Sequence, residues 1–128
     1  MTDEAPAALA MVTIDCADPA AEATFWAAAL GWELAHAGDD YGLVTGAGQR
    51  LGFGRVEDWQ PPAWPNPAGT KQFHLDLAVD DLEAAADRLI ALGARRAEPQ
   101  PSDADGGWIV LQDPDGHPFC LTKAANWG

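Results

Sequence analysis

Several residue types are scarce in this 128-residue chain, and each shortage excludes a class of protein or of chemistry. Serine occurs once, as Ser102 in a predicted turn, so a Ser-His-Asp triad has almost nothing to work with. The two cysteines, Cys16 and Cys120, lack CxxC spacing and form one disulfide at most, which excludes a disulfide-stapled secreted scaffold. Seven basic residues stand against twenty acidic ones, and the net charge of −13 repels phosphate backbones and anionic lipids. We therefore expect neither nucleic acid nor a membrane as a partner.

Long apolar runs are also missing. No uninterrupted run approaches the roughly 18 residues of a membrane span, and residues 1–4 are acidic where a secretory signal is basic. Hydrophobic residues make up 48% of the chain and charged residues 21%, which is typical of globular domains. The sequence predicts a soluble, cytoplasmic protein with a single domain over residues 1–128.

What the chain does contain is an internal repeat. Residues 11–18 and 74–81 both alternate apolar and polar side chains and both end in an acidic residue. An alanine- and leucine-rich stretch with helical character follows each one and stops at Gly31 or Gly93. Three short strands are then predicted in each copy, at about 32–37, 40–45 and 50–57, and at about 94–98, 106–112 and 117–123. The predicted order is βαβββ, twice.

A proline-rich linker separates the two copies. Residues 58–70 contain four prolines, a density that is incompatible with a helix or a central strand. The single domain is therefore divided into module one at about 9–57, the linker, and module two at about 71–123.

The whole pattern resembles a known superfamily. The doubled order, the segments 18–31 and 74–81, and the run DPDGHPFC at 113–120 are similar to the glyoxalase, bleomycin-resistance and extradiol-dioxygenase superfamily, also called vicinal oxygen chelate proteins. The small glyoxalase-like proteins are the most similar group, over about residues 9 to 123. The resemblance implies an α+β fold in which two tandem βαβββ modules form curved sheets around a cup, with the helices outside. Because the superfamily includes metalloenzymes and metal-free binding proteins, the function has to come from the site.

Strand alternation assigns side chains to the two faces of each predicted sheet. The positions expected to pack against the helices are Val12, Ile14, Leu75, Leu77, Val79, Phe119 and Leu121. The positions expected on the opposite face, toward the cup, are Met11, Thr13, Asp15, His74, Asp76 and Cys120. Aligning Gly48 with Gly116 places Gly52 where Cys120 stands, with Arg50 on the same face.

The superfamily's metal ligands come from the first and last strands of each module and are usually His, Gln or Glu. By position in this sequence they are Met11, Gly52, His74 and Cys120. Only His74 is a usual ligand, so we expect no cofactor, with a divalent metal held by His74 as the alternative. A metal site displaced from these positions, formed by His74 with Asp15 and Asp76, remains an alternative. In the simpler interpretation, Asp76 pairs with Arg50 or with a neighbouring backbone group.

The aromatic residues predict the walls of a pocket. Trp108 begins a strand that lines the cup, while Trp59, Trp64 and Trp127 lie in segments that can fold over its mouth. Aromatic ring faces attract cations, and the negative net charge draws cations in. His36 and His117, in contrast, are predicted to be exposed to solvent.

We therefore predict a protein that binds a small hydrophobic or cationic aromatic molecule in a cup between the two modules, without metal. The candidate binding residues are His74, Trp108, Asp15, Asp76, Arg50, Met11, Cys120, Trp59 and Trp64. The alternative is an enzyme of the same superfamily with an altered site, such as a lyase, isomerase or dioxygenase. Resemblance to the drug-binding relatives, which are often dimers, implies a homodimer.

Overall fold

The computed structural model describes residues 5–71, 73–100 and 107–127, and within them the predicted βαβββ repeat is confirmed. The elements are β1 Val12–Cys16, α1 Pro19–Leu30, β2 Glu33–Ala37, β3 Tyr41–Gly46, β4 Gln49–Arg55, β5 Leu75–Val79, α2 Leu82–Leu92, β6 Arg95–Arg96, β7 Trp108–Gln112 and β8 Pro118–Lys123. A 3-10 helix, Ala124–Trp127, follows β8. Three positions discussed above lie outside the described residues: residues 1–4, Ser102, and residue 106, where the predicted strand 106–112 begins.

The chain divides into two compact units, Met1–Trp59 and Gln60–Gly128. They are called the first and second unit below. The predicted linker, 58–70, therefore belongs almost entirely to the second unit, where the proline-rich segment carries Trp64 and Lys71 follows it. Among the described residues, neither helix is long or apolar enough to cross a membrane.

The first unit is a four-stranded sheet with α1 packed against it. Its strand order is β1-β4-β3-β2, with β1 and β4 parallel. The helix begins at Pro19 because the Asp18 carboxylate accepts the Ala21 N–H at 3.1 Å, and it ends at Gly31, whose φ of 69° suits a residue without a Cβ. Phe25 and Trp26 are buried and fill the core.

The second unit repeats this arrangement as β5-β8-β7-β6, with β5 and β8 parallel. Phe119 and Leu121 are buried on β8, while Cys120 between them is only partly buried, as the predicted alternation requires. The predicted equivalence of Gly52 and Cys120 is confirmed by the strand register. Gly52 on β4 pairs with Thr13 on β1, and Cys120 on β8 pairs in the same way with Asp76 on β5. The strand predicted at 94–98 is shorter than expected and keeps only two residues.

One apolar position differs from the prediction. Val12 was expected to pack against a helix, yet 44% of it is exposed. Val12 is the first residue of β1, whereas the buried residue of that strand, Cys16, is the last. The alternation therefore could not give the depth of burial on β1, which is an edge strand of its sheet.

Candidate functional site

A pocket with a volume of about 550 Å³ lies on the second unit. The lining residues are Trp64, Lys71, His74, Asp76, Gly107, Trp108, Val110, Cys120, Thr122, Asn126 and Trp127. Its polar groups come from β5, β8, the residues just before β5 and the 3-10 helix, and its large apolar surfaces come from three tryptophans. It thus combines aromatic walls with a small polar region, as ligand pockets commonly do.

The polar floor of the pocket consists of His74, Asp76 and Cys120. Asp76 is the second residue of β5 and His74 directly precedes the strand, and at this two-residue spacing their side chains meet. Cys120 lies beside Asp76 because the two are direct partners in the parallel pair of β5 and β8. His74 Nε2 lies 3.3 Å from Asp76 Oδ1, and one ligand atom from each of the three residues lies within 4.8 Å of the others.

The environment of Cys120 keeps its side chain as a thiol. The pKa of Cys120 is raised from 9.0 to about 11, first by burial and then by the charge of the Asp76 carboxylate and its hydrogen bond with the thiol. The positive charge of Lys71 acts in the opposite direction and lowers that pKa. At neutral pH the floor therefore carries a weak S–H donor rather than a nucleophilic thiolate.

Trp64 forms one wall and is fixed on two sides. Its indole N–H donates a hydrogen bond of 2.7 Å to the carbonyl oxygen of Pro99. The Lys71 ammonium lies 4.8 Å from the centre of its ring, within the range of a cation–π interaction. The ring therefore has a defined orientation at the edge of the pocket, and one face is already in contact with a cation.

Trp127 forms a second wall, on the 3-10 helix. Its indole N–H donates to Thr122 Oγ1 at 2.7 Å, and the Thr122 hydroxyl donates to the Leu77 carbonyl oxygen at 2.8 Å. Thr122 thus connects the C-terminal segment to β5. The ring is 65% exposed, so these two hydrogen bonds, rather than burial, set its position.

Trp108 is the third wall and the first residue of β7. It is 42% exposed, and within the described chain its indole N–H makes no hydrogen bond, so the indole is available to a ligand. Val110, two residues later on the same strand, lies behind the same pocket and is itself only 1% exposed.

The nine predicted binding residues fall into two groups. The pocket brings together His74, Asp76, Cys120, Trp64 and Trp108. The others, Met11, Asp15, Arg50 and Trp59, belong to the first unit. Ligand contact by any of the nine stays a prediction.

The partners predicted for Asp76 and Arg50 differ from those in the structure. Asp76 was expected to pair with Arg50 or with backbone, but its carboxylate lies against the His74 imidazole, at 3.3 Å from Nε2. Arg50 instead donates to the carbonyl oxygen of Ala10 at 3.3 Å. Because His74 and Asp76 are only two residues apart, this contact needs no long-range arrangement of the chain.

Sequence reasoning missed five residues that line the pocket: Lys71, Gly107, Val110, Thr122 and Asn126. Thr122 could have been found, because it lies two residues after Cys120 on the same strand and so shares its face. Lys71 follows the proline-rich segment, and no periodic pattern precedes β5 there to indicate its direction.

The prediction for His117 was wrong. Its side chain is only 14% exposed, and its Nδ1 lies 2.8 Å from both carboxylate oxygens of Asp113, which is itself 1% exposed. Asp113 Oδ1 also accepts the backbone N–H groups of Asp115 and His117. The 113–117 turn is thus organised around a buried carboxylate, whereas His36 is exposed, as predicted, and stacks on Tyr41.

The first unit shows whether the superfamily's four-ligand metal centre fits this chain. A Cβ placed on Gly52 would lie 3.0 Å from Met11 Sδ and 3.2 Å from Thr13 Oγ1, so the thioether covers the position that a ligand side chain would need. Neither Met11 nor Gly52 offers an imidazole or a carboxylate. These residues do not fit the four-ligand centre.

Two tandem βαβββ units, each with its first strand parallel to its last, define the class of vicinal oxygen chelate proteins. The sequence model of the family described as "Glyoxalase-like domain" matches residues 11–122, and the chain belongs to this family. Among proteins with curated descriptions, none matches this sequence.

Solved structures show the same fold. A glyoxalase-related enzyme from Fulvimarina pelagi is 20% identical, with a TM-score of 0.65, and the match covers 91% of this chain and 87% of that one. A glyoxalase/bleomycin resistance protein/dioxygenase family enzyme from Burkholderia phytofirmans PsJN is 19% identical, with a TM-score of 0.66, and the match covers 92% and 99% of the two chains. The bleomycin-binding protein of Streptomyces verticillus, solved with copper(II)-bleomycin, is 19% identical, with a TM-score of 0.56 and coverage of 93% and 98%.

Proposed function

We propose that this glyoxalase-like protein binds a small planar molecule, either hydrophobic or aromatic and cationic, in the pocket of the second unit. The observation that carries the proposal is the set of three indole rings, from Trp64, Trp108 and Trp127, around one polar floor. Indole rings bury a large apolar area on flat ligands, and their faces attract cations. A ligand of this kind matches the shape and the chemistry of the walls.

The floor supports binding rather than covalent catalysis. The Cys120 thiol is kept protonated, and the Asp76 carboxylate is already engaged by His74. The chain also lacks the donor set of the superfamily's four-ligand metal centre. The S. verticillus neighbour is described as bleomycin-binding, which is a precedent for a binding protein with this fold.

The net charge of the chain should influence the association rate of a cationic ligand more than its affinity for the pocket. The chain as a whole carries −13, but the pocket contributes one cation, Lys71, and one carboxylate, Asp76. Attraction of a cationic ligand is therefore a long-range effect of the whole chain, and salt screens it over about 8–10 Å at physiological ionic strength.

The experiment is a titration with a cationic aromatic dye, followed by quenching of tryptophan fluorescence. We expect Trp108→Ala to weaken binding by about 2 kcal/mol or more, because an exposed central indole is a typical anchor. Leu92→Ala is the matched control, since Leu92 is 46% exposed in the same unit and does not line the pocket. Equal affinity for the two variants would refute the pocket assignment.

We also propose a homodimer, as the resemblance to the drug-binding relatives implies. Large apolar side chains such as Leu9 and Phe73 are more than four-fifths exposed in a single chain, and a second copy would cover such surface. Light scattering at several concentrations measures the mass directly, and a monomer throughout would remove the dimer without affecting the pocket.

A further inference from the structure

The pocket of the second unit presents unpaired hydrogen-bond donors beside a carboxylate that is already engaged. Among the described residues, the Lys71 ammonium has no carboxylate within ion-pair distance, and the Trp108 indole N–H has no acceptor. The Asp76 carboxylate, in contrast, lies against the His74 imidazole and hydrogen-bonds with the Cys120 thiol. A ligand that satisfies the unpaired donors therefore has to bring an acceptor.

The chain fixes Lys71 at the edge of this pocket. Its backbone N–H donates to Asn66 Oδ1 at 3.0 Å, and its carbonyl oxygen accepts from Asn66 Nδ2 at 3.1 Å, so one side chain holds the residue from both sides. The half-buried ammonium lies 4.8 Å from the centre of the Trp64 ring. Because the positive charge is in position before a ligand arrives, binding an anionic group there costs little ordering.

Lys71 also determines how Trp64 can be used. The ammonium already occupies one face of the ring as a cation–π partner, so a cationic ligand on that face would meet a like charge. The charge of Lys71 also reaches the floor of the pocket, where it lowers the pKa of the Cys120 thiol. A negative group beside Lys71 is stabilised by this same charge.

We propose that Lys71 selects a flat aromatic acid, whose ring lies among the tryptophans and whose carboxylate contacts the Lys71 ammonium. This inference rests on the proposed function and narrows it, because it favours the flat hydrophobic ligand, with one acidic group added, over the cation. The net charge of −13 does not prevent such binding. Salt screens the long-range repulsion over about 8–10 Å at physiological ionic strength, whereas the ammonium acts at contact distance.

Three naphthalenes with one ring system separate the contribution of shape from that of charge. At neutral pH, naphthalene-2-carboxylate is an anion, naphthalene-2-carboxamide is neutral and naphthalene-2-carboxamidine is a cation. Isothermal titration calorimetry of the full chain at physiological ionic strength measures the Kd of each. We expect the carboxylate to bind at least about tenfold more tightly than the amide, because one charge-assisted hydrogen bond changes an affinity by roughly 10–100-fold. The amidine should bind more weakly than the amide.

Variants of Lys71 test whether its charge is the cause. Lys71→Met keeps an unbranched side chain and should abolish the preference for the carboxylate over the amide, whereas Lys71→Arg keeps the charge and should retain that preference. Lys123→Met is the matched control, because Lys123 is exposed at the end of β8 and does not line the pocket, yet its loss changes the net charge equally. This control should retain the preference. Circular dichroism establishes that each variant is folded.

The results separate failure of this inference from failure of the proposed function. Amide binding with no preference for the carboxylate, a preference that survives Lys71→Met, or tightest binding of the amidine would overturn the role of Lys71 and leave the aromatic pocket standing. If none of the three naphthalenes binds, the aromatic pocket and the selection by Lys71 both fail.

Discussion

We expect Gln100→Met to destabilise the second unit, because the amide of Gln100 takes the place of a strand residue at the edge of the sheet. β6 ends after two residues, and beyond it Ala97 N donates to the Val110 carbonyl at 3.1 Å. The side chain of Gln100 then completes the pairing. Its Nε2 donates to the carbonyl oxygens of Ala97 and Val110 at 2.6 and 2.7 Å, and its Oε1 accepts the Val110 N–H at 3.0 Å.

The size of the effect follows from the burial of Val110. This residue is 1% exposed, so water cannot replace the lost acceptor of its N–H. An unsatisfied buried donor costs about 1–3 kcal/mol, whereas the Val110 carbonyl keeps its bond from Ala97. Methionine matches glutamine in length and leaves no cavity. We therefore expect the free energy of unfolding to fall by about 2–3 kcal/mol.

The assay is urea denaturation followed by far-ultraviolet circular dichroism, with Gln49→Met as the control. Gln49 is exposed on β4, so its replacement should change the free energy of unfolding by no more than about 0.5 kcal/mol. If Gln100→Met proves as mild as Gln49→Met, the amide does not substitute for a strand. Because β7 also carries Trp108, dye affinity should fall in Gln100→Met as well.

Three further outcomes test the second unit. Leu121→Ala should cost about 2–5 kcal/mol of unfolding free energy, since Leu121 is fully buried, and Cys120→Ala much less; equal losses would show a register shifted by one residue. Since the pKa of the Cys120 thiol is about 11 instead of 9.0, alkylation by iodoacetamide at pH 8 in metal-free protein should be about 100-fold slower than for an ordinary cysteine. The reaction should accelerate as the pH rises toward 11, and it should be faster in Asp76→Asn. An ordinary reaction rate would contradict the burial of the thiol. Thr122→Val removes the acceptor of the Trp127 indole N–H, so we expect red-shifted tryptophan emission and weaker dye binding, and an unchanged spectrum would mean that this hydrogen bond does not hold the ring.

Much of the fold could be predicted from the sequence because it depends on local patterns. Alternating apolar residues indicated β1 and β5, and Asp18 and Gly31 marked where α1 begins and ends. The repeat of these patterns gave the βαβββ order of both units and the equivalence of Gly52 with Cys120. Each of these features depends on neighbours within a few residues, so no knowledge of the distant chain was needed.

Part of the candidate site was also accessible in this way. Predicting that the side chains of His74 and Asp76 point the same way needs only the two-residue period of an extended chain. The same period puts Cys120 and Thr122 together on β8, and it indicated that the inherited position at Gly52 carries no ligand.

The tertiary structure decided which of these faces meet. The parallel register sets Asp76 beside Cys120, and the fold of the proline-rich segment brings Trp64 and Lys71 to the same pocket. The burial of Asp113, and the hydrogen bonds by which the Gln100 side chain continues the sheet edge beyond β6, likewise depend on contacts between chain segments that no periodicity encodes. A buried polar group must find a partner wherever the folded chain supplies one, and that choice is made by packing, whereas the period of a strand or a helix is fixed by the local backbone.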